Sequence, residues 1–229
     1  KDLDGNEILD ILIASPTQNK VSWFEGLGSG LFAAENVISN TSSETASVYA
    51  EDLDGDGDLD IMNASFGDNE VVWFENLGSG SFSTQNVLSS DASEALAVYS
   101  FDVDNDGDND IVASAEDAQD SEENPKLVWF ENLGNGMFDE EKWITQQADG
   151  ARCIISDDLD NDGDPDLLTA SLYDDKIAWY PNQFGNGCTD PEACNYSESI
   201  IIDDGSCCYG ICGCTSQMSY NYDPDAECD

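Results

Sequence analysis

The chain has 229 residues, 40% of them hydrophobic, and carries 50 acidic against 6 basic residues, a formal net charge of −44. That hydrophobic content supports a packed core, while six dispersed cations build no basic patch, which argues against nucleic acid and against an anionic membrane surface as partners. The absence of histidine removes Ser-His and Cys-His nucleophiles and imidazole zinc sites, and no apolar run reaches the roughly 18 residues of a membrane helix.

From the first residues onward the chain is repetitive. Trp-Phe-Glu recurs at Trp23-Phe24-Glu25, Trp73-Phe74-Glu75 and Trp129-Phe130-Glu131, with a degenerate copy at Trp179-Tyr180-Pro181, at spacings of 50, 56 and 50 residues. Aspartate loops opening at Asp2, Asp52, Asp102 and Asp158 keep phase with the tryptophans. Residues 1–186 therefore read as repeats near 1–50, 51–100, 101–156 and 157–186, and residues 187–229 as a separate Cys-rich tail with two partial repeats. The polar stretch 116–125 accounts for the longer third repeat as a surface insertion. With no initiator Met and a start inside a repeat, the chain reads as a processed or trimmed product.

The complete second repeat predicts four short strands bounded by turn residues, at Ala46–Glu51, Leu59–Ser65, Glu70–Asn76 and Phe82–Leu88. No stretch has helical period. Four antiparallel strands in a repeat of this length predict an all-β, β-propeller-type array of blades. The end blades are incomplete, giving expected strand counts of 3, 4, 4 and 3. A closed ring, a segment of a larger propeller and an open array all fit the pattern.

The aspartate loop joins the first strand of a blade to the second. Calcium takes six to eight hard oxygen ligands in a flexible shell. The second loop offers Asp52, Asp54 and Asp56 at positions 1, 3 and 5, and Asp60 at position 9. The third offers Asp102, Asp104, Asp106 and Asp110, and the fourth Asp158, Asp160, Asp162 and Asp166. The first offers Asp2, Asp4, Asn6 and Asp10, with Glu7 where the others have glycine, so it is expected to be the weakest site. An EF-hand is excluded, because position 12 is Asn63, Ala113 and Thr169 instead of glutamate and the flanks are strands.

This pattern, D-x-D-G-D-G-x-x-D followed by Ile61-Met62-Asn63-Ala64-Ser65 and Val71-Val72-Trp73-Phe74-Glu75-Asn76, resembles the FG-GAP/VCBS repeat over roughly residues 1–187. The resemblance implies an integrin-α-like propeller with calcium, about four ions, in the loop between the first and second strands of each blade. Trp23, Trp73, Trp129 and Trp179 are then expected to pack between blades, ahead of a sugar-stacking role.

Eight cysteines, Cys153 and then Cys188, Cys194, Cys207, Cys208, Cys212, Cys214 and Cys228, are read as disulfide candidates in an oxidising compartment. Cys153 is expected to bond to a tail cysteine; a thiolate zinc or iron–sulfur site in the tail is the alternative. The tail sequences Gly187-Cys188-Thr189-Asp190 and Asp203-Asp204-Gly205-Ser206-Cys207 are similar to Cys-rich repeats of secreted surface proteins from marine Bacteroidetes. Asn40 is the best of three glycosylation sequons.

The functional expectation is an extracellular or cell-surface structural or adhesive protein stabilised by calcium. Its partners are other copies of itself, assembling into a filament through edge or tail strands such as Ile200-Ile201-Ile202, or a surface protein or glycan. A carbohydrate-binding module is the alternative. No catalytic residue is assigned.

Overall fold

In a computed structural model of the chain, residues 1–90, 92–115, 126–145, 148–182, 186–187, 193 and 202–203 are described. They form four antiparallel sheets in succession, with one short 3-10 turn at Pro16–Gln18. The first contains β1 (Ile11–Ser15), β2 (Lys20–Gly28) and β3 (Leu31–Ser39). The second contains β4 (Thr45–Glu51), β5 (Asp60–Ser65), β6 (Glu70–Phe74) and β7 (Asn86–Ser89), and the third β8 (Ala97–Phe101), β9 (Asp110–Ala115), β10 (Lys126–Phe130) and β11 (Lys142–Thr145). The fourth contains β12 (Ala151–Asp157), β13 (Asp166–Ser171) and β14 (Lys176–Tyr180). Neighbours in the chain are neighbours in each sheet, so every sheet is a meander. The expected counts of 3, 4, 4 and 3 strands hold, and the fold is an all-β array of propeller-type blades.

Two predicted strand ends move by more than one residue, for a reason visible in the hydrogen bonds. The third strand of the second blade stops at Phe74, because the Asn76 backbone N–H leaves the ladder to bond the Asp60 carboxylate at 2.7 Å. The fourth begins only at Asn86; Phe82 contributes an isolated bridge to Asn76 before the chain rejoins the sheet. In the tail, β15 (Asn186–Gly187) pairs in parallel with β16 (Ile202–Asp203), so Ile202 of the expected donor segment pairs within its own chain. The insertion 116–125 lies outside the described residues.

The blades are held together by three apolar clusters, each shared by two successive sheets. Leu3, Val21 and Trp23 pack on Ile61, Val72 and Phe74 at the first junction. Leu53, Met62 and Trp73 pack on Ile111, Val128 and Phe130 at the second. Val112, Leu127 and Trp129 pack on Ile154 and Leu167 at the third. A central strand therefore lies between two neighbours, and all six residues of β5 and of β9 are buried. This is why those strands carry near-continuous apolar or small residues without alternation. β1 has no strand before its aspartate loop, and its residues are only partly covered. Among the described residues, no comparable packing joins the fourth sheet to the first.

Polar locks repeat with the same period. The Asn76 side chain donates to the Leu3 carbonyl of the preceding blade at 2.8 Å; Asn132 does so to Leu53 and Asn182 to Val103, each at 2.7 Å. At the turns after the second strands, Asn19 and Asn69 adopt left-handed conformations and accept the N–H groups of Glu44 and Glu94 of the following blade, both at 3.0 Å. Asparagine suits these corners because it tolerates positive φ and brings its own acceptor.

Candidate metal centre

Each aspartate loop ends where the second strand of a blade begins, so strand pairing fixes the position-9 acid while the loop wraps over it. Asp60, Asp110 and Asp166 are fully buried and Asp10 nearly so. All four hold the same two partners. One oxygen accepts the backbone N–H of position 2 (Leu3, Leu53, Val103, Leu159, at 2.7 to 3.0 Å). The other accepts the N–H three residues after the blade's tryptophan (Gly26, Asn76, Asn132, Asn182, at 2.7 to 2.8 Å).

Positions 1 and 3 converge on this anchored carboxylate. In every loop one oxygen from each of positions 1, 3 and 9 lies within 4.8 Å of the other two: Asp2, Asp4 and Asp10; Asp52, Asp54 and Asp60; Asp102, Asp104 and Asp110; Asp158, Asp160 and Asp166. The position-1 acids also hold the loop shut, Asp52 accepting from Gly55 and Gly57 and Asp102 from Asp106 and Gly107.

The expected position-5 ligands are not in these clusters. Asn6, Asp56, Asp106 and Asp162 each accept the N–H of position 7 at 2.8 to 3.0 Å, the hydrogen bond of an Asx turn. That leaves the second carboxylate oxygen of Asp56, Asp106 and Asp162 for a ligand role. In the first loop the Asn6 amide instead donates to Asp4 at 3.1 Å, directing a donor at an oxygen a cation would use.

Crowding the acids has an electrostatic consequence. Burial pushes the Asp60 and Asp110 carboxyls up to about 7; their backbone N–H partners oppose this, and the neighbouring loop aspartates add to it. Burial also raises Asp4, Asp54 and Asp104 above the ordinary carboxylate range. Asp166 departs from its counterparts. Burial acts to raise it, but the N–H groups of Asn182 and Leu159 and the Trp179 indole bring it below its ordinary value.

Three converging carboxylates with few donors suit a divalent cation. Asp104 and Asp158 each bury an oxygen that has no hydrogen-bond partner, which a metal ion would satisfy. An all-oxygen set without His or Cys fits calcium or magnesium and disfavours zinc and copper. The flexible carboxylate loop with backbone carbonyls nearby favours calcium, since magnesium demands near-ideal octahedral geometry.

Two expected outcomes follow at this level. In the calcium-free chain, Asp60 and Asp110 keep their protons to near pH 7, while in the unfolded chain they ionise near pH 4. Their protonation stabilises the calcium-free fold fully below about pH 4, and this is lost as pH rises through about 7. Scanning calorimetry in chelator should show the melting temperature falling between about pH 4 and pH 7, a stability loss on the order of 2 kcal/mol per buried aspartate. A melting temperature that rises over that window contradicts the burial argument.

The second outcome concerns the first loop. Glu7 is held at φ 67, where Gly57, Gly107 and Gly163 take φ 93, 102 and 104. The double substitution Asn6→Asp, Glu7→Gly removes the competing amide and the left-handed penalty of roughly 1–2 kcal/mol. It should tighten the weakest calcium step about tenfold in a calorimetric titration, leaving the other steps unchanged.

The other sequence-derived sites fall as follows. Trp23, Trp73 and Trp129 are buried between blades as expected, but Trp179 is half exposed because, among the described residues, no sheet packs beyond the fourth. Asn40 is exposed at the end of β3, while Asn63 is fully buried with its amide on Ser65, which removes its sequon from use. Cys153 is exposed on β12. Cys188, Cys194, Cys207, Cys208, Cys212, Cys214 and Cys228 lie outside the described residues, and so does the pairing expected for Cys153. Residue-type spacing did not single out Asn76, Asn132 and Asn182. The available signal was asparagine three residues after each tryptophan of the repeat, absent only at Gly26.

Comparison with known proteins agrees with the repeat and the fold. A family model described as an FG-GAP-like repeat matches residues 2–63 and 60–113. No protein in the curated set matches the chain in sequence. Among solved structures, the chain is similar to an Agrocybe aegerita lectin described for specific recognition of non-reducing terminal N-acetylglucosamine. Identity is 20% and the TM-score 0.51, over 80% of this chain and 51% of the lectin, so the chain spans about half the lectin's length. A second match, to a Photorhabdus luminescens Tc holotoxin pore, has 18% identity and a TM-score of 0.40 over 74% of this chain and 8% of that one.

Proposed function

We propose that this chain is a calcium-stabilised structural or adhesive protein that works outside the cell, its blades stiffened by one ion per aspartate loop. The observation that carries the reading is the wiring of the loops to the blade junctions. Asn76 gives its backbone N–H to Asp60 of its own loop and its side chain to Leu3 in the preceding loop. Asn132 links Asp110 to Leu53, and Asn182 links Asp166 to Val103, in the same way. An ion that fixes a position-9 aspartate thus fixes the asparagine that clamps the neighbouring blade. Extracellular calcium, at millimolar levels, suits such modest-affinity acidic sites. We assign no catalytic role: the acids that converge among the described residues are those of the aspartate loops, and the chain has one arginine and no histidine.

Protease shaving of intact cells tests this reading. The protein should be surface-accessible, resistant to cleavage in calcium and rapidly cut in chelator. A protein found only inside the cell, or one whose resistance ignores calcium, contradicts it.

The lectin neighbour favours a second reading, glycan binding on the same scaffold. Trp143 and Tyr173 are exposed aromatics able to stack on a sugar face. Glycan-array binding that disappears on replacing them, with melting unchanged, would support it.

A further inference from the structure

The aspartate loops are wired to one another in series. Each clamp asparagine uses both hydrogens of its amide, one on either side of a blade junction. Asn76 donates to the Leu3 carbonyl of the preceding loop and, at 3.0 Å, to the Leu59 carbonyl of its own. Asn132 spans Leu53 and Asn109 in the same way, and Asn182 spans Val103 and Pro165. In its own loop the asparagine holds the residue directly before the position-9 aspartate. In the preceding loop it holds the residue between the acids of positions 1 and 3.

Leu53 shows what this does to a pair of ligands. Its N–H is held by Asp60 at 3.0 Å and its carbonyl by Asn132 at 2.7 Å. Both peptide groups between Asp52 and Asp54 are thus oriented, one from their own blade and one from the next. The following blade also abuts the position-3 acid directly: a Cβ on Gly136 would lie 3.3 Å from that of Asp54, and one on Gly80 3.4 Å from that of Asp4. At the third junction the loops themselves meet. Asn105 stands at position 4, where the first two loops have Gly5 and Gly55, and donates to Asp164 of the fourth loop at 2.8 Å. Asp164 is buried, and its own N–H is held by Asp162.

An empty loop crowds three acids whose nearest oxygens lie within 4.8 Å, and their repulsion favours a looser arrangement. A cation reverses that preference and closes the loop. Closing one loop orders its clamp asparagine, and with it the peptide between two ligands of the preceding loop, which then has less freedom left to lose. We propose, resting on the calcium reading above, that the four loops bind calcium cooperatively, each ion raising the affinity of the adjoining loop. The third and fourth loops are the most strongly coupled pair, because the Asn105–Asp164 bond adds to the clamp there. Coupling between sites is reciprocal, and about tenfold per junction falls within its usual range.

Native mass spectrometry across a calcium titration of the whole chain tests this by counting the ions on each molecule. At half saturation the parent should show a distribution of bound ions broader than the binomial one of independent sites. Unequal affinities without coupling make that distribution narrower, so they do not imitate the result. Asn105→Gly removes the direct bond at a backbone φ of 65 that glycine adopts freely. It should weaken the joint uptake of the third and fourth ions about fivefold while about four ions still bind. Asn132→Ala breaks the middle clamp and should leave two pairs of loops that fill independently, with a narrower distribution than the parent's. A parent distribution no broader than binomial, or one that neither variant narrows, would overturn the coupling; with about four ions bound, the structural reading stands. No calcium uptake at any concentration would overturn both.

Discussion

Replacing Asp110 by alanine should destabilise the chain by about 3 kcal/mol even in chelator, because the buried N–H groups of Val103 and Asn132 lose their only carboxylate and each orphaned donor costs about 1–3 kcal/mol. Release of a buried, destabilised carboxyl offsets part of that loss. Asp110→Asn keeps one acceptor oxygen and turns an amide toward the other N–H, so its cost in chelator should be about half as large. In calcium both variants fall further below the parent by the same increment, since both lose an ion and the stability its binding adds. Urea unfolding midpoints, with and without calcium, read both effects. An alanine variant as stable as the parent in chelator would show that the carboxylate is not the anchor described here.

Trp73→Ala should cost about 3–5 kcal/mol, the range for large-to-small changes at a buried aromatic. Trp73 is 6% exposed, meets Phe138 edge-on with ring centroids 5.9 Å apart, and fills the space over Gly136. Its removal opens a cavity at the second junction, which Met62 on the adjacent strand can refill only in part. Trp179→Ala in the same motif should cost about 1–2 kcal/mol, less than Trp73→Ala, because half of that ring already faces solvent and what is lost is chiefly the indole hydrogen bond to Asp166. Equal losses in thermal unfolding would mean that the fourth blade is covered in solution.

The contrast between these tryptophans shows where the sequence stops being informative. Blade number, strand order and the place of each loop follow from a repeat whose two markers keep phase, and the strands fall within a few residues of their expected bounds. The position-1, -3 and -9 acids are also legible, since only a converging loop accounts for acids at those spacings in all four copies. Position 5 is not. An Asx-turn acceptor and a metal ligand call for the same residue at the same place, and only the N–H of position 7 distinguishes them. The clamps are hidden for another reason: Asn76 and Asn132 reach carbonyls 73 and 79 residues away, across a junction that local pattern does not encode. Trp179 looks like its three counterparts in sequence and differs in having, among the described residues, no blade packed over it.

Calcium titration of the chelated chain by calorimetry tests the central claim most directly. The loops predict about four ions per chain, one step weaker than the rest, and about three in Asp110→Ala. Uptake of no ions, or a stoichiometry unchanged by that substitution, would contradict it.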